Sequence, residues 1–196
     1  MQKKQIALIV QTILALAMTQ AVVLWAMRGL QRTMVPALTI PAITARQFLL
    51  TFLVSTIFLL ILVRTFRKSF IFESIFALSL FSGVWFIAAL VAPEGAFWIA
   101  LILTAARYLF PYVAVQNLLL VVGIAGIGSA LGSTTYWQTT LMVLIVLAVY
   151  DVIAVYGTKH MVAMFQGLLS QGVIFAIIVP EHPRLLLKKL KDVSPG

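Results

Sequence analysis

Six long apolar runs, separated by short polar breaks, constrain this chain more than any other feature of it. They cover residues 6–27, 48–63, 70–92, 96–112, 115–131 and 138–156. They are about 16 to 23 residues long, which suits a helix crossing a hydrocarbon core of about 30 Å. A soluble domain carries roughly 25% charged residues, whereas this chain carries 10%, with 63% hydrophobic. Outer-membrane barrels read as short segments of alternating polarity, a pattern absent here. The expectation is an all-α polytopic membrane protein of six transmembrane helices.

The breaks set the order. Lys3 and Lys4 precede the first run. A secretory signal is the competing reading, and Ala15-Leu16-Ala17 supplies the letters of a cleavage site. That string lies inside the apolar run instead of after it, and the run is too long for a signal core. Pro36 and Pro41 interrupt residues 28–46. Arg64, Arg67 and Lys68 close the second run, and Pro93-Glu94-Gly95 makes a turn after the third. Arg107, Pro111, Gln116 and Asn117 divide the fourth run from the fifth. The fifth holds Gly123, Gly126, Gly128 and Gly132, and its Gly128/Gly132 pair has the GxxxG spacing of packed membrane helices. Tyr136 and Trp137 suit a headgroup-level anchor before the sixth run. Gly157, Lys159 and His160 end it, glycine at a C-cap and basic groups near the negative helix end.

Residues 1–158 are therefore expected to form the transmembrane domain. Residues 159–196 are expected to form a cytoplasmic loop segment, with one or two short amphipathic helices over residues 161–179 and a basic tail. Ser194-Pro195-Gly196 reads as a loop cut off.

The net charge is +9. Its distribution assigns it to topology. With the N-terminus inside, Lys3, Lys4, Arg64, Arg67, Lys68, Arg107, Lys159, Arg184, Lys188, Lys189 and Lys191 fall on the cytoplasmic side, against Arg28, Arg32 and Arg46 outside. The basic groups at run ends meet anionic lipid headgroups. No soluble basic patch with aromatics exists to bind nucleic acid. The chain has no cysteine, and His160 and His182 stand alone, so neither a metal nor another cofactor is expected.

One acid lies close to the centre of an apolar run: Asp151, in residues 141–158, LMVLIVLAVYDVIAVYGT, whereas Glu73 stands at the start of the third run, close to Arg67 and Lys68, and reads as an interfacial ion pair. An ionised carboxylate at bilayer depth costs at least ~2.5 kcal/mol, and such groups mark functional sites by default. Six residues separate it from Gly157, about 9 Å at helical rise. Three roles are open to it: a proton or cation site in a transporter, a structural pair with a cation such as Arg107, or one half of an aspartic dyad. In a dyad two carboxylates share one proton, because like charges about 3 Å apart cannot both ionise. The ionised member activates water and the protonated member polarises the peptide carbonyl. Ala148 and Ala154 leave space beside the carboxylate, and Tyr150 can donate a hydrogen bond, although adjacent helical positions point to different sides. Spacing does not choose among the three.

Residues 146–155, VLAVYDVIAV, resemble the sixth helix of presenilins, and Tyr156-Gly157-Thr158 with Met161-Val162 resembles the signal peptide peptidase branch. Both belong to the GxGD aspartyl intramembrane proteases, here in a microbial or archaeal form. The resemblance implies the first six of nine transmembrane helices, with the N-terminus cytoplasmic. It implies cleavage of transmembrane substrates, with Asp151 as the first catalytic aspartate and Tyr150 as the supporting tyrosine before it. The family's second aspartate lies in a Gly-x-Gly-Asp motif that this sequence lacks, since Gly126-Ile127-Gly128 is followed by Ser129. Pro36-Ala37-Leu38 matches another family motif in letters but precedes the second run, so it is set aside as coincidence. The chain is expected to be the N-terminal part of the enzyme and inactive alone. Its expected partners are the C-terminal part carrying the second Asp, helical substrates and membrane lipid, with a second copy left open, in the plasma membrane. The alternative is half of a proton- or cation-coupled transporter with Asp151 as the ion site.

Overall fold

Proline placement and apolar run length divide the chain into helices; the computed structural model describes residues 2–32, 44–65, 69–157 and 176–178, and the first three of these stretches are helical almost throughout. The helices are α1 (Gln2–Arg32), α2 (Ala45–Thr65), α3 (Ser69–Val91), a 3-10 turn (Pro93–Gly95), α4 (Ala96–Leu109), α5 (Val113–Thr134) and α6 (Trp137–Val152), which continues as a π-turn (Ile153–Gly157). No strand element occurs among the described residues. Among the described residues, three stretches are long and apolar enough to cross a membrane: Leu8–Leu30, Phe70–Val91 and Val113–Thr134. Arg46–Phe58 and Trp137–Val152 are shorter apolar helical stretches. At 14 residues, α4 spans only about 21 Å.

Several boundaries differ from expectation, each for a local reason. The second helix starts at Ala45 instead of residue 48 because Thr44 and Gln47 form a reciprocal cap. The Thr44 N–H donates to Gln47 Oε1 (3.1 Å), and the Gln47 N–H donates to Thr44 Oγ1 (3.4 Å). Two N–H groups without helical partners are satisfied at once. Thr44→Ala is expected to lower the thermal midpoint by the equivalent of ~1 kcal/mol, read by unfolding in a neutral detergent. α4 ends at Leu109, not residue 112, because Pro111 excludes the helical conformation from the residue before it. Phe110 accordingly sits at φ −122°, ψ 75°. Tyr112 donates its N–H to the Phe110 carbonyl (2.7 Å) in a three-residue turn, and its own carbonyl accepts from Gln116 (3.1 Å) as α5 begins.

The described residues fall into two compact units. One comprises Met1–Pro36, Ile75–Ala130 and Phe175–Gly196; the other comprises Ala37–Ser74 and Leu131–Ile174. In the first, Leu80 and Val84 of α3, Ala100 of α4 and Leu119 of α5 form the core, with Phe76, Phe81, Val115 and Val122 against it. Phe81 also stacks on Trp85 and meets Phe97 edge-on at 5.6 Å.

α3 and α5 cross at glycines. A Cβ on Gly83 would overlap the Gly123 carbonyl, and one on Gly126 would overlap the Gly83 carbonyl. Expectation placed the packing pair at Gly128 and Gly132, but a Cβ at either would meet nothing within 4 Å. The phase of the helix decides. Gly123 and Gly126 continue the face of Gln116 and Leu119, whereas Gly128 and Gly132 lie on the opposite side.

Gln116 and Asn117, expected as a polar break between spans, lie inside α5 and hold another part of the chain. Asn117 donates from Nδ2 to the Ile178 carbonyl (2.7 Å) and accepts the Ile178 N–H at Oδ1 (2.9 Å). Gln116 donates from Nε2 to the Ala176 carbonyl (3.2 Å). Residues 176–178 are not helical, so these carboxamides satisfy backbone groups that a helix would satisfy internally. The rest of the segment expected to form short helices lies outside the described residues.

Candidate functional site

The second unit contains the helix that carries the acid. α6 turns a narrow stripe inward: Thr139 and Val143 are buried, and Leu147 and Tyr150 are half-buried. The spacing of three and four residues is that of one helix face. Tyr150 packs on α2, its ring edge-on to Phe52 with centroids 5.8 Å apart at 90°. An aromatic pair of this geometry is worth about 0.5–1.5 kcal/mol beyond the area it buries. A double-mutant cycle of Phe52→Leu and Tyr150→Leu is expected to give a coupling energy in that range.

Asp151 follows Tyr150 and therefore points about 100° away from it around the helix. Its side chain is exposed and makes no hydrogen bond or ion pair with any described residue. Tyr150 is half-buried and Asp151 exposed, as adjacent positions on different sides of a helix are. Pairing of Asp151 with a cation, one of the three roles left open by the sequence, is not seen among the described residues. Ala148 is exposed one turn before the aspartate, which leaves the carboxyl group unhindered on that side.

The helix changes character two residues later. The Ile153 N–H is shared between the carbonyls of Tyr150 and Val149, and Ile153–Gly157 then takes the wider π-turn. Such single π-turns inside α-helices recur at functional sites because they redirect side chains and loosen the carbonyl ladder. Gly157, expected as a C-cap, is the last residue of this turn. Nothing in the local sequence announces a π-turn; Ile153, Ala154 and Val155 read as ordinary apolar helix.

The remaining acids are elsewhere. Glu73 is half-buried in the first turns of α3, and Glu94 is exposed in the 3-10 turn. Arg67 and Lys68, the cations nearest Glu73 in sequence, lie outside the described residues, as do His160, Glu181, His182 and Asp192. Arg107 is not a break between spans but the last member of the buried stripe of α4, after Ala96, Ala100 and Thr104.

A family model described as "Signal-peptide peptidase, presenilin aspartyl protease" matches residues 5–190. No curated protein and no solved structure matches the chain.

Proposed function

The chain belongs to the signal-peptide peptidase and presenilin aspartyl protease family, an integral membrane family of intramembrane aspartyl proteases, and from that premise we propose that Asp151 is one of the two catalytic carboxylates. The observation that carries the proposal is its setting. Asp151 lies on an apolar helix, on the outward side, with no partner among the described residues. A carboxylate in that place cannot face hydrocarbon without a cost of several kcal/mol. It is retained because polar groups of another polypeptide segment cover it.

The covering segment supplies the second aspartate. These 196 residues contain no Gly-x-Gly-Asp, so that group comes from polypeptide outside them. The six helices span the plasma membrane with the N-terminus cytoplasmic, placing Asp151 toward the cytoplasmic half of α6. α2 and α6 cross by extension beyond their shorter apolar stretches, and α4 crosses with help from the adjoining 3-10 and three-residue turns. The substrate is a transmembrane helix, opened locally so that a scissile carbonyl reaches the acids. The ionised carboxylate takes a proton from water as it attacks the carbonyl carbon, and the protonated one donates to the carbonyl oxygen. Collapse of the tetrahedral intermediate then delivers a proton to the leaving amine. Tyr150 serves through position, since its ring fixes α6 against α2.

The test is reconstitution. The 196-residue chain alone is expected to leave a model transmembrane substrate uncut. Cleavage is expected once polypeptide carrying the family's Gly-x-Gly-Asp is supplied. Turnover by the chain alone would refute the division of the site between segments.

A further inference from the structure

Arg107 is the buried cation of α4, and its surroundings do not account for it. The side chain is 8% exposed, and its guanidinium carbon lies 4.6 Å from the Phe76 ring centroid and 5.1 Å from that of Tyr108. Two aromatic faces hold it, yet it makes no hydrogen bond or ion pair with any described residue, and its buried Nε has no acceptor. A buried lysine can shed its proton; arginine cannot. The charge therefore persists, and a desolvated cation without an acceptor is strongly unfavourable.

Thr104, one turn earlier on the same face, repeats the anomaly. It is also 8% exposed, and its Oγ1 has no partner. Threonines in helices commonly donate back to the carbonyl four residues before. Thr12, Thr19 and Thr140 do so here, to Leu8, Ala15 and Tyr136. Thr104 does not. Two buried donors one turn apart on one face of α4 thus have no acceptor among the described residues.

The terminal guanidinium nitrogens are not among the fully buried unpartnered atoms, so the fork is held from behind and open at its outer edge. That edge lies in the last turn of α4. Next to Arg107 in sequence, Leu103, Tyr108, Leu109 and Phe110 are exposed, at 39%, 46%, 73% and 56%. A cationic fork in the last turn of a helix that also presents exposed apolar and amphipathic side chains matches an amphiphile whose anionic head sits at membrane-surface depth. We infer that Thr104 and Arg107 form a binding site for the phosphate of a phospholipid headgroup, whose acyl chains lie along Leu103, Leu109 and Phe110. The site is independent of Asp151 and of the proteolytic reading.

The experiment uses the full chain in a neutral, phosphate-free sugar detergent, titrated with phosphatidylglycerol. Lipid retention is read by native mass spectrometry and protection by the thermal midpoint. Wild type is expected to retain one lipid preferentially and to melt higher with it. Arg107→Gln is expected to weaken retention roughly tenfold or more, as loss of charge-assisted bonds does. Thr104→Val, nearly isosteric, should weaken it several-fold without unfolding the chain, which keeps the test decisive if Arg107→Gln folds poorly. Arg46→Gln, at an exposed basic residue, should behave as wild type. Equal retention by Thr104→Val and wild type, or equal retention of diacylglycerol, which lacks the phosphate, overturns the site. Equal protection by inorganic phosphate overturns the lipid assignment. So does loss of lipid retention when the Gly-x-Gly-Asp polypeptide is added, since the acceptor would then be one of its side chains.

Discussion

Asp151→Asn in the reconstituted enzyme is expected to reduce cleavage of a transmembrane substrate by at least ~10²–10⁴-fold, the range associated with a positioned proton-transfer group, while leaving the thermal midpoint of the chain within about 0.5 kcal/mol of wild type. The two halves of this expectation have separate physical origins. Asparagine keeps the shape of the side chain but cannot accept a proton from water or share one with a second acid. Asp151 is also exposed and makes no bond within the described structure, so replacing it breaks nothing that holds α6 in place. Tyr150 shows the opposite pattern. Its ring is part of the α2–α6 contact, so Tyr150→Leu should lower stability and activity together, whereas Tyr150→Phe should largely preserve the contact. An Asp151→Asn enzyme that lost activity only in proportion to lost folded protein would remove the catalytic assignment.

Gly126→Ala is expected to be among the most destabilising glycine-to-alanine changes in the described residues, at about 3 kcal/mol, the upper end for overpacking. The added Cβ would enter the space of the Gly83 carbonyl, a backbone atom that no rotamer change can move aside. Gly83→Ala should behave alike, because its Cβ would meet the Gly123 carbonyl. Gly123→Ala should cost less, since the nearest obstacle is Leu80 Cδ1 at 2.7 Å, the end of a flexible side chain. Gly128→Ala and Gly132→Ala meet nothing within 4 Å and should be neutral or stabilising by ~0.5–1 kcal/mol, as alanine favours helix over glycine. Close backbone approach matters here because no hydrophobic force draws helices together inside lipid. Unfolding midpoints of the five variants in one detergent check the series, and the sign difference between Gly126 and Gly128 is its most informative part.

The helical character of the described residues was legible because run length and proline placement are strong, local signals. Boundaries were less so. The cap at Thr44 was written in the sequence as Thr-x-x-Gln, but it lies before the apolar run and adds a turn that hydrophobicity does not mark. The GxxxG spacing at Gly128 misleads because a spacing does not report which side of the helix meets a neighbour; Gly123 and Gly126 take that role through a partner, Gly83, forty residues away in sequence. Polar residues inside apolar runs read, in sequence alone, as interruptions. Arg107, Gln116 and Asn117 instead sit within helices, where their partners are aromatic rings and distant backbone that periodicity cannot identify. At the candidate site the acid stands out in the sequence because a carboxylate near the centre of an apolar run is rare. The π-turn after it does not, because it depends on hydrogen-bond geometry that an apolar run leaves unspecified.

The absence of cysteine from the chain permits a direct measurement of the claim that Asp151 faces a second acid. Asp151→Cys is co-reconstituted with the polypeptide carrying Gly-x-Gly-Asp, its aspartate also replaced by cysteine, and mild oxidant is added. A disulfide requires Cβ atoms about 3.5–4.5 Å apart. The account predicts rapid cross-linking of this pair, and none when the first cysteine is moved to Leu147, on the inward stripe of α6. Absence of a cross-link at position 151 in a correctly assembled, substrate-binding complex would contradict it.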